Sequence, residues 1–141
     1  MIYVRRKEHF NAAHKLFNPK WSKERNKAVF GACANENWHG HNFDLIVTVK
    51  GIPASETGFV VDLKKLGELV NEELIEKVDH KNLDLDVEFL KGQLNSCENI
   101  ITKFWEILEP KINAMSEKAW LHKLELIETP KNSVEYYGEI A

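Results

Sequence analysis

The segment Cys33-Ala34-Asn35-Glu36-Asn37-Trp38-His39-Gly40-His41 concentrates groups that bind metals and move protons. His39 and His41 are two residues apart at the head of an alternating stretch. In extended backbone both imidazoles leave the same face, about 6.5–7 Å apart along the chain, so they can converge on one ion. Gly40 between them leaves room for another backbone or a substrate. A catalytic zinc takes three protein ligands and keeps a fourth position open. His14, in Phe10-Asn11-Ala12-Ala13-His14, is the best third ligand: it falls on the apolar parity of its own strand, with small neighbours beside it. Three neutral imidazoles leave the ion its full charge, which polarises and acidifies a bound oxygen. Cys33 could serve as a thiolate base or nucleophile, as a fourth ligand closing a structural site, or as a small buried hydrophobe.

Three further acids stand where chemistry is possible. Asp79 precedes His80 directly and could orient its imidazole and stabilise the charged form. Glu98 falls in the first turn of a helix, where the helix dipole favours acids; a carboxylate there can also take two parallel N–H bonds from an amidine or guanidine edge. Glu128 ends an inward-facing row with Leu124 and Leu126, an unusual place for a charge and therefore a rim or a site position.

The elements that must carry these groups read as strand, strand, helix, helix, strand, strand. The first strand is expected over Ile2–Leu16, with Phe10, Ala12, His14 and Leu16 on one face. Phe17–Trp38 is long and polar, with room for a short helix; connections of that length are usually functional or mobile. The second strand is expected over His39–Lys50, where Phe43, Leu45, Val47 and Val49 alternate with polar residues as in a half-buried antiparallel strand. Asp62 caps a helix whose Leu63, Leu66, Val70 and Leu74 recur at helical spacing. A second helix starts near Asn95 or Ser96, carries Ile100, Ile101, Phe104, Trp105, Ile107 and Leu108, and is expected to end at Pro110. The last strands are expected over Ala119–Glu128 and Val134–Gly138. The sum is an α+β domain, an antiparallel sheet with helices on one face.

The 141 residues suit one domain, residues 1–141, with enough chain to bury a core. A formal net charge of −3 argues against a general nucleic-acid binder. No apolar run reaches bilayer-spanning length, and Met1–Lys7 lacks the apolar stretch of a signal peptide. Two cysteines are too few for a disulfide scaffold. The expectation is a cytoplasmic protein with no membrane and no nucleic-acid partner.

In order along the chain, these motifs resemble the 6-pyruvoyl-tetrahydropterin synthase family, which includes the bacterial 6-carboxy-tetrahydropterin synthases of queuosine biosynthesis. Phe10–His14 resembles its first zinc motif. Cys33 followed after five residues by His39-Gly40-His41 resembles its catalytic cysteine and remaining ligands. Asp79-His80-Lys81-Asn82-Leu83-Asp84 resembles its catalytic Asp-His segment, Ser96-Cys97-Glu98-Asn99 its pterin anchor, and Glu128-Thr129 its late glutamate. The resemblance implies the tunnelling fold (T-fold): a four-stranded antiparallel sheet with two helices, strands of several subunits closing a barrel, and trimers stacked into homohexamers with active sites at the interfaces. It implies zinc at His14, His39 and His41. It implies 7,8-dihydroneopterin 3′-triphosphate as substrate, held by Glu98 with Ser96 and Cys97 beside it. Zinc would acidify the substrate's side-chain hydroxyls, Cys33 would abstract a proton, His80 oriented by Asp79 would shuttle protons with help from Glu128, and triphosphate would leave.

Two features depart from the family pattern. Cys97 stands where Thr or Ser is usual. Glu36 lies between Cys33 and His39, near the place where some members carry a glutamate and release 6-hydroxymethyl-dihydropterin. The product is therefore open between the 6-pyruvoyl, 6-carboxy and 6-hydroxymethyl pterins, with the five-residue spacer resembling the pyruvoyl-forming members. A non-catalytic domain, stabilised by zinc or binding a pterin without turnover, is the alternative of another class.

Overall fold

A computed structural model describes residues 1–140. Two long strands form its centre. β1 (Ile2–His14) and β2 (His39–Gly51) pair antiparallel along their whole length, from Ile2 opposite Gly51 to His14 opposite His39. β4 (Ala119–Thr129) lies on the other side of β2, and β5 (Asn132–Tyr136) pairs with β4. A two-residue strand, β3 (Lys81–Asn82), adds to β1 in parallel, so the sheet order is β3-β1-β2-β4-β5. The α+β reading and the antiparallel sheet hold. The expected four strands become five, because β3 is too short to leave a period in the sequence.

One face of the sheet is the core. Phe10 and Ala12 on β1, Phe43, Leu45, Val47 and Val49 on β2, and Leu124 and Leu126 on β4 are buried there. The rings of Phe10 and Phe43 stack at 4.8 Å, and Phe104 meets Phe10 edge-on from above. Helices α2 (Leu63–Val70) and α4 (Cys97–Asn113) cover this face with Leu66, Val70, Ile100, Ile101, Phe104 and Leu108. Asp62 caps α2 through bonds from the Lys64 and Lys65 amides, as its type predicts. α2 runs on through a π-helical turn (Asn71–Ile75) into a last short turn, α3 (Glu76–Val78). The extra residue in that turn lets Leu74, Ile75 and Val78 all face the core.

Three boundaries differ from expectation by two residues or more. Pro110 lies inside α4, which continues to Asn113. The ring sits on the solvent side, and buried Ile112 anchors the final turn, so the lost amide bond is tolerated. β1 stops at His14 instead of Leu16, and β5 occupies Asn132–Tyr136 instead of Val134–Gly138. The polar segment 17–38 holds α1 (Lys23–Phe30) and a single 3-10 turn, Gly31–Ala34. It is organised by fully buried Asn26, whose amide donates to the carbonyls of Asn18 and Ser22 and accepts from the Asn18 amide.

Candidate metal centre and active site

β1 and β2 bring the histidines together by register. His14 lies directly across from His39, and His41 two residues further along β2 lies across from Ala12. All three point to the core face, at the end of the sheet where the helices stop covering it. One ring nitrogen from each lies within 4.8 Å of the other two. His14 is only 2% exposed, and its Nδ1 is 2.8 Å from the Asn95 carbonyl oxygen. A carbonyl only accepts, so Nδ1 carries the proton and Nε2 is left with a free lone pair. That Nε2, together with His39 Nδ1 and His41 Nε2, is buried without a hydrogen-bond partner. Three unpartnered ring nitrogens gathered in one cluster are what a metal ion satisfies. Burial, together with the neighbouring histidines, lowers the His39 pKa. Burial also lowers the His41 pKa, against the opposing pull of Glu128. Both shifts favour the neutral form that a metal requires.

Glu128 reaches the cluster from β4. Its two carboxylate oxygens stand 3.8 Å from His14 Nε2 and 3.7 Å from His41 Nε2. Cys97 donates its S–H to Glu128 Oε2 at 2.8 Å. Burial, reinforced by the Glu128 charge, pushes the Cys97 thiol well above its ordinary pKa, so it stays a donor. The thiol thus fills the donor role that a hydroxyl would have at this position.

A cavity of about 460 Å³ opens beside the cluster at His14, lined also by Ser96, Cys97, Glu98 and Glu128, with Lys131 and Asn132 where β4 turns into β5. The Ser96 hydroxyl caps α4 by accepting from the Asn99 amide at 3.3 Å. Glu98, in the first turn of that helix, is exposed into the cavity. Cys33 is half-buried in the 3-10 turn. Its carbonyl accepts from the Leu16 amide at 2.7 Å, which ties the turn to the end of β1. Its sulfur is not part of the three-histidine cluster.

The Asp79–His80 pair lies elsewhere. Asp79 accepts from the Asn11 amide at 2.9 Å and holds His80 Nδ1 at 3.0 Å, while the His80 amide donates to the Asn11 carbonyl at 2.6 Å. The pair therefore caps the β1 edge facing away from β2, and the His80 side chain is 81% exposed. Glu36 is exposed and lines a different cavity with Lys15, Lys23 and Lys27. Gly40 is not required by the fold: a Cβ there would meet only the Ala12 carbonyl, at an ordinary 3.5 Å. The sequence reading missed Asn95 and Lys131. Asn95 acts through its backbone carbonyl, which leaves no residue-type signal; Lys131 follows Pro130 in the turn directly after Glu128, a placement that could have marked it.

The sequence model of the 6-pyruvoyl tetrahydropterin synthase family matches residues 3–139. The chain belongs to this family. It is 36% identical over 138 residues to the 6-pyruvoyl tetrahydrobiopterin synthase of Dictyostelium discoideum, covering 98% of this chain and 97% of that one. To the human 6-pyruvoyl tetrahydrobiopterin synthase it is 36% identical over 136 residues, covering 96% and 91%. The fold superposes on the Caenorhabditis elegans 6-pyruvoyl tetrahydropterin synthase structure with a TM-score of 0.86 at 36% identity, over 98% of this chain and 96% of that one. Family membership and the T-fold are thus established together. Among the described residues no helix is long and apolar enough to cross a membrane.

Proposed function

We propose that this chain is a zinc-dependent carbon–oxygen lyase that eliminates triphosphate from 7,8-dihydroneopterin 3′-triphosphate and forms 6-pyruvoyl-tetrahydropterin. One observation carries the reading: three unpartnered imidazole nitrogens cluster together, and one of the three rings, His14, lines a cavity whose wall holds Ser96, Cys97, Glu98 and Glu128. Relatives at 36% identity over nearly the whole chain bear the matching enzyme name.

His14, His39 and His41 would hold the zinc through those nitrogens. Once bound, it would acidify the hydroxyls of the substrate side chain. Glu98 grips the guanidine-like edge of the pterin with two parallel charge-assisted bonds. Cys33, as thiolate, removes a proton from the side chain as triphosphate departs with its bonding electron pair. Glu128, held by the Cys97 thiol, accepts and returns protons beside the histidines. His80, steadied by Asp79, completes the relay. Because that pair caps the outer edge of β1 in its own chain, this reading has it serve the site of a neighbouring copy in a homo-oligomer, a hexamer by family likeness. A cytoplasmic setting is part of the same proposal.

The Cys33 sulfur stands outside the histidine cluster, which favours catalysis over a structural site closed by that thiol. Glu36, facing a separate cavity, favours the pyruvoyl product over the hydroxymethyl one. Incubating zinc-loaded protein with the triphosphate and identifying the product by mass tests the proposal. A 6-pyruvoyl product is expected; a 6-carboxy or 6-hydroxymethyl product corrects the pathway, and unchanged substrate removes the enzymatic reading.

A further inference from the structure

We infer that Asp84 is a positioning residue for the metal centre, a single carboxylate that ties together three chain segments, two of which carry ligands while the third holds the ring of one of them. The inference rests on reading the histidine cluster as a metal site.

Asp84 is half-buried, two residues after β3, and its side chain accepts from three separate places. Oδ2 takes the Lys15 backbone amide at 3.0 Å and the Trp38 indole Nε1–H at 2.8 Å. Oδ1 takes the Asn95 amide group at 2.8 Å. Each donor stands next to a ligand. Lys15 follows His14 in the chain. Trp38 precedes His39. Asn95 holds the ring of His14 through its own carbonyl, at 2.8 Å. One carboxylate therefore sets where β1 ends, where β2 begins, and which ring nitrogen of His14 is free.

Two local features show that these segments need holding. Trp38 has φ of 61°, a left-handed conformation that bulky residues seldom adopt, and the next residue is His39. Its indole is fixed on one side by Asp84 and covered on the other by the Lys15 ammonium, 4.1 Å from the ring centroid. Asn95 is 2% exposed, and its side chain is fully used: it donates to Asp84 and to the Leu90 carbonyl and accepts from Gln93. Asp84 is steadied in turn, its amide donating to Asn82 Oδ1 at 3.0 Å.

The residue type follows from the donor count. Three N–H donors converge on two oxygens, and a carboxylate accepts at both. An amide would keep two of the bonds and turn an NH₂ group toward one donor. Groups that orient metal ligands from behind change affinity by about 10–100-fold when removed.

The test compares the full-length chain with Asp84→Ala, Asp84→Asn and Trp38→Phe. It measures Zn²⁺ affinity by competition with a chromophoric chelator, the visible spectrum of the Co²⁺-loaded protein, and the thermal midpoint of the metal-free protein. Asp84→Ala is expected to raise the Zn²⁺ Kd about 10–100-fold and alter the Co²⁺ bands, with Asp84→Asn in between. A folded Asp84→Ala that keeps wild-type affinity and spectrum overturns the inference, even if its midpoint falls. Should Asp84→Ala fail to fold, Trp38→Phe decides: it removes one donor but keeps a ring, and a weakened Kd supports the role while an unchanged one overturns it. A wild-type protein that binds no metal overturns the metal reading, and this inference with it.

Discussion

Two cysteines of one chemical type are driven apart by their surroundings. Cys97 is 8% exposed, beside the Glu128 carboxylate, and holds its proton; Cys33 is half-buried in a turn tied to the end of β1. Alkylation followed by peptide mass mapping is therefore expected to modify Cys33 first, with Cys97 unreactive through pH 9.0, where an ordinary thiol is half ionised. Equal labelling at pH 8 would contradict the burial and the bond to Glu128. The sign for stability follows. The native state keeps a proton that the unfolded chain loses above its thiol pKa, so this group makes stability fall as pH rises past that value. Cys33→Ala should retain the metal yet lose about 10²–10⁴-fold in turnover, the range of a positioned general base. Loss of metal from that variant would instead make the thiol a ligand. Glu98→Gln should raise KM and leave metal content unchanged, because on the proposed role it spoils one leg of a two-point grip on the substrate; a matching loss of metal would refute that assignment.

At the scale of elements, the helix starts are set by side chains that name themselves. Removing the cap in Asp62→Ala should cost about 1 kcal/mol, read as a lower urea midpoint with unchanged slope; no change would mean that the Lys64 and Lys65 amides find water as readily. The same kind of reasoning made the histidine cluster legible. Period-2 parity puts His14, His39 and His41 on the core face of their strands, and antiparallel pairing of two long strands sets His14 opposite His39. Glu128 was readable for the same reason, as a charge ending the Leu124–Leu126 row. What was not legible depends on distant chain coming close. Lys81–Asn82 becomes a strand only because the β1 edge is there to pair with. Pro110 stays helical because Ile112 is buried, a fact of packing that local propensity does not contain. The bond between Cys97 and Glu128 exists because α4 lies on β4, and the Asn95 carbonyl that meets His14 belongs to the backbone, which leaves no mark in the residue type.

Cys33 belongs to the same end of the sheet as the histidines, while Asp79 and His80 cap the outer edge of β1, hydrogen-bonded to Asn11. The sheet's second face presents polar residues such as Asn11 and Asn42, joined at 2.7 Å. If sites are shared between copies, Cys33 and His80 must come to each site from different subunits, because closed symmetric assembly repeats one interface around the ring. Cys33→Ala and His80→Ala are each expected to be nearly inactive alone. Unfolded together at equal amounts and refolded, they should regain roughly a quarter of wild-type turnover, since random assembly gives each site both intact groups with that frequency. Light scattering on the wild type should give an integral multiple of the 16.3 kDa chain, six for a hexamer. An inactive mixture with intact assembly would confine both groups to one chain, and a monomer in solution would leave the Asp79–His80 pair outside the chemistry altogether.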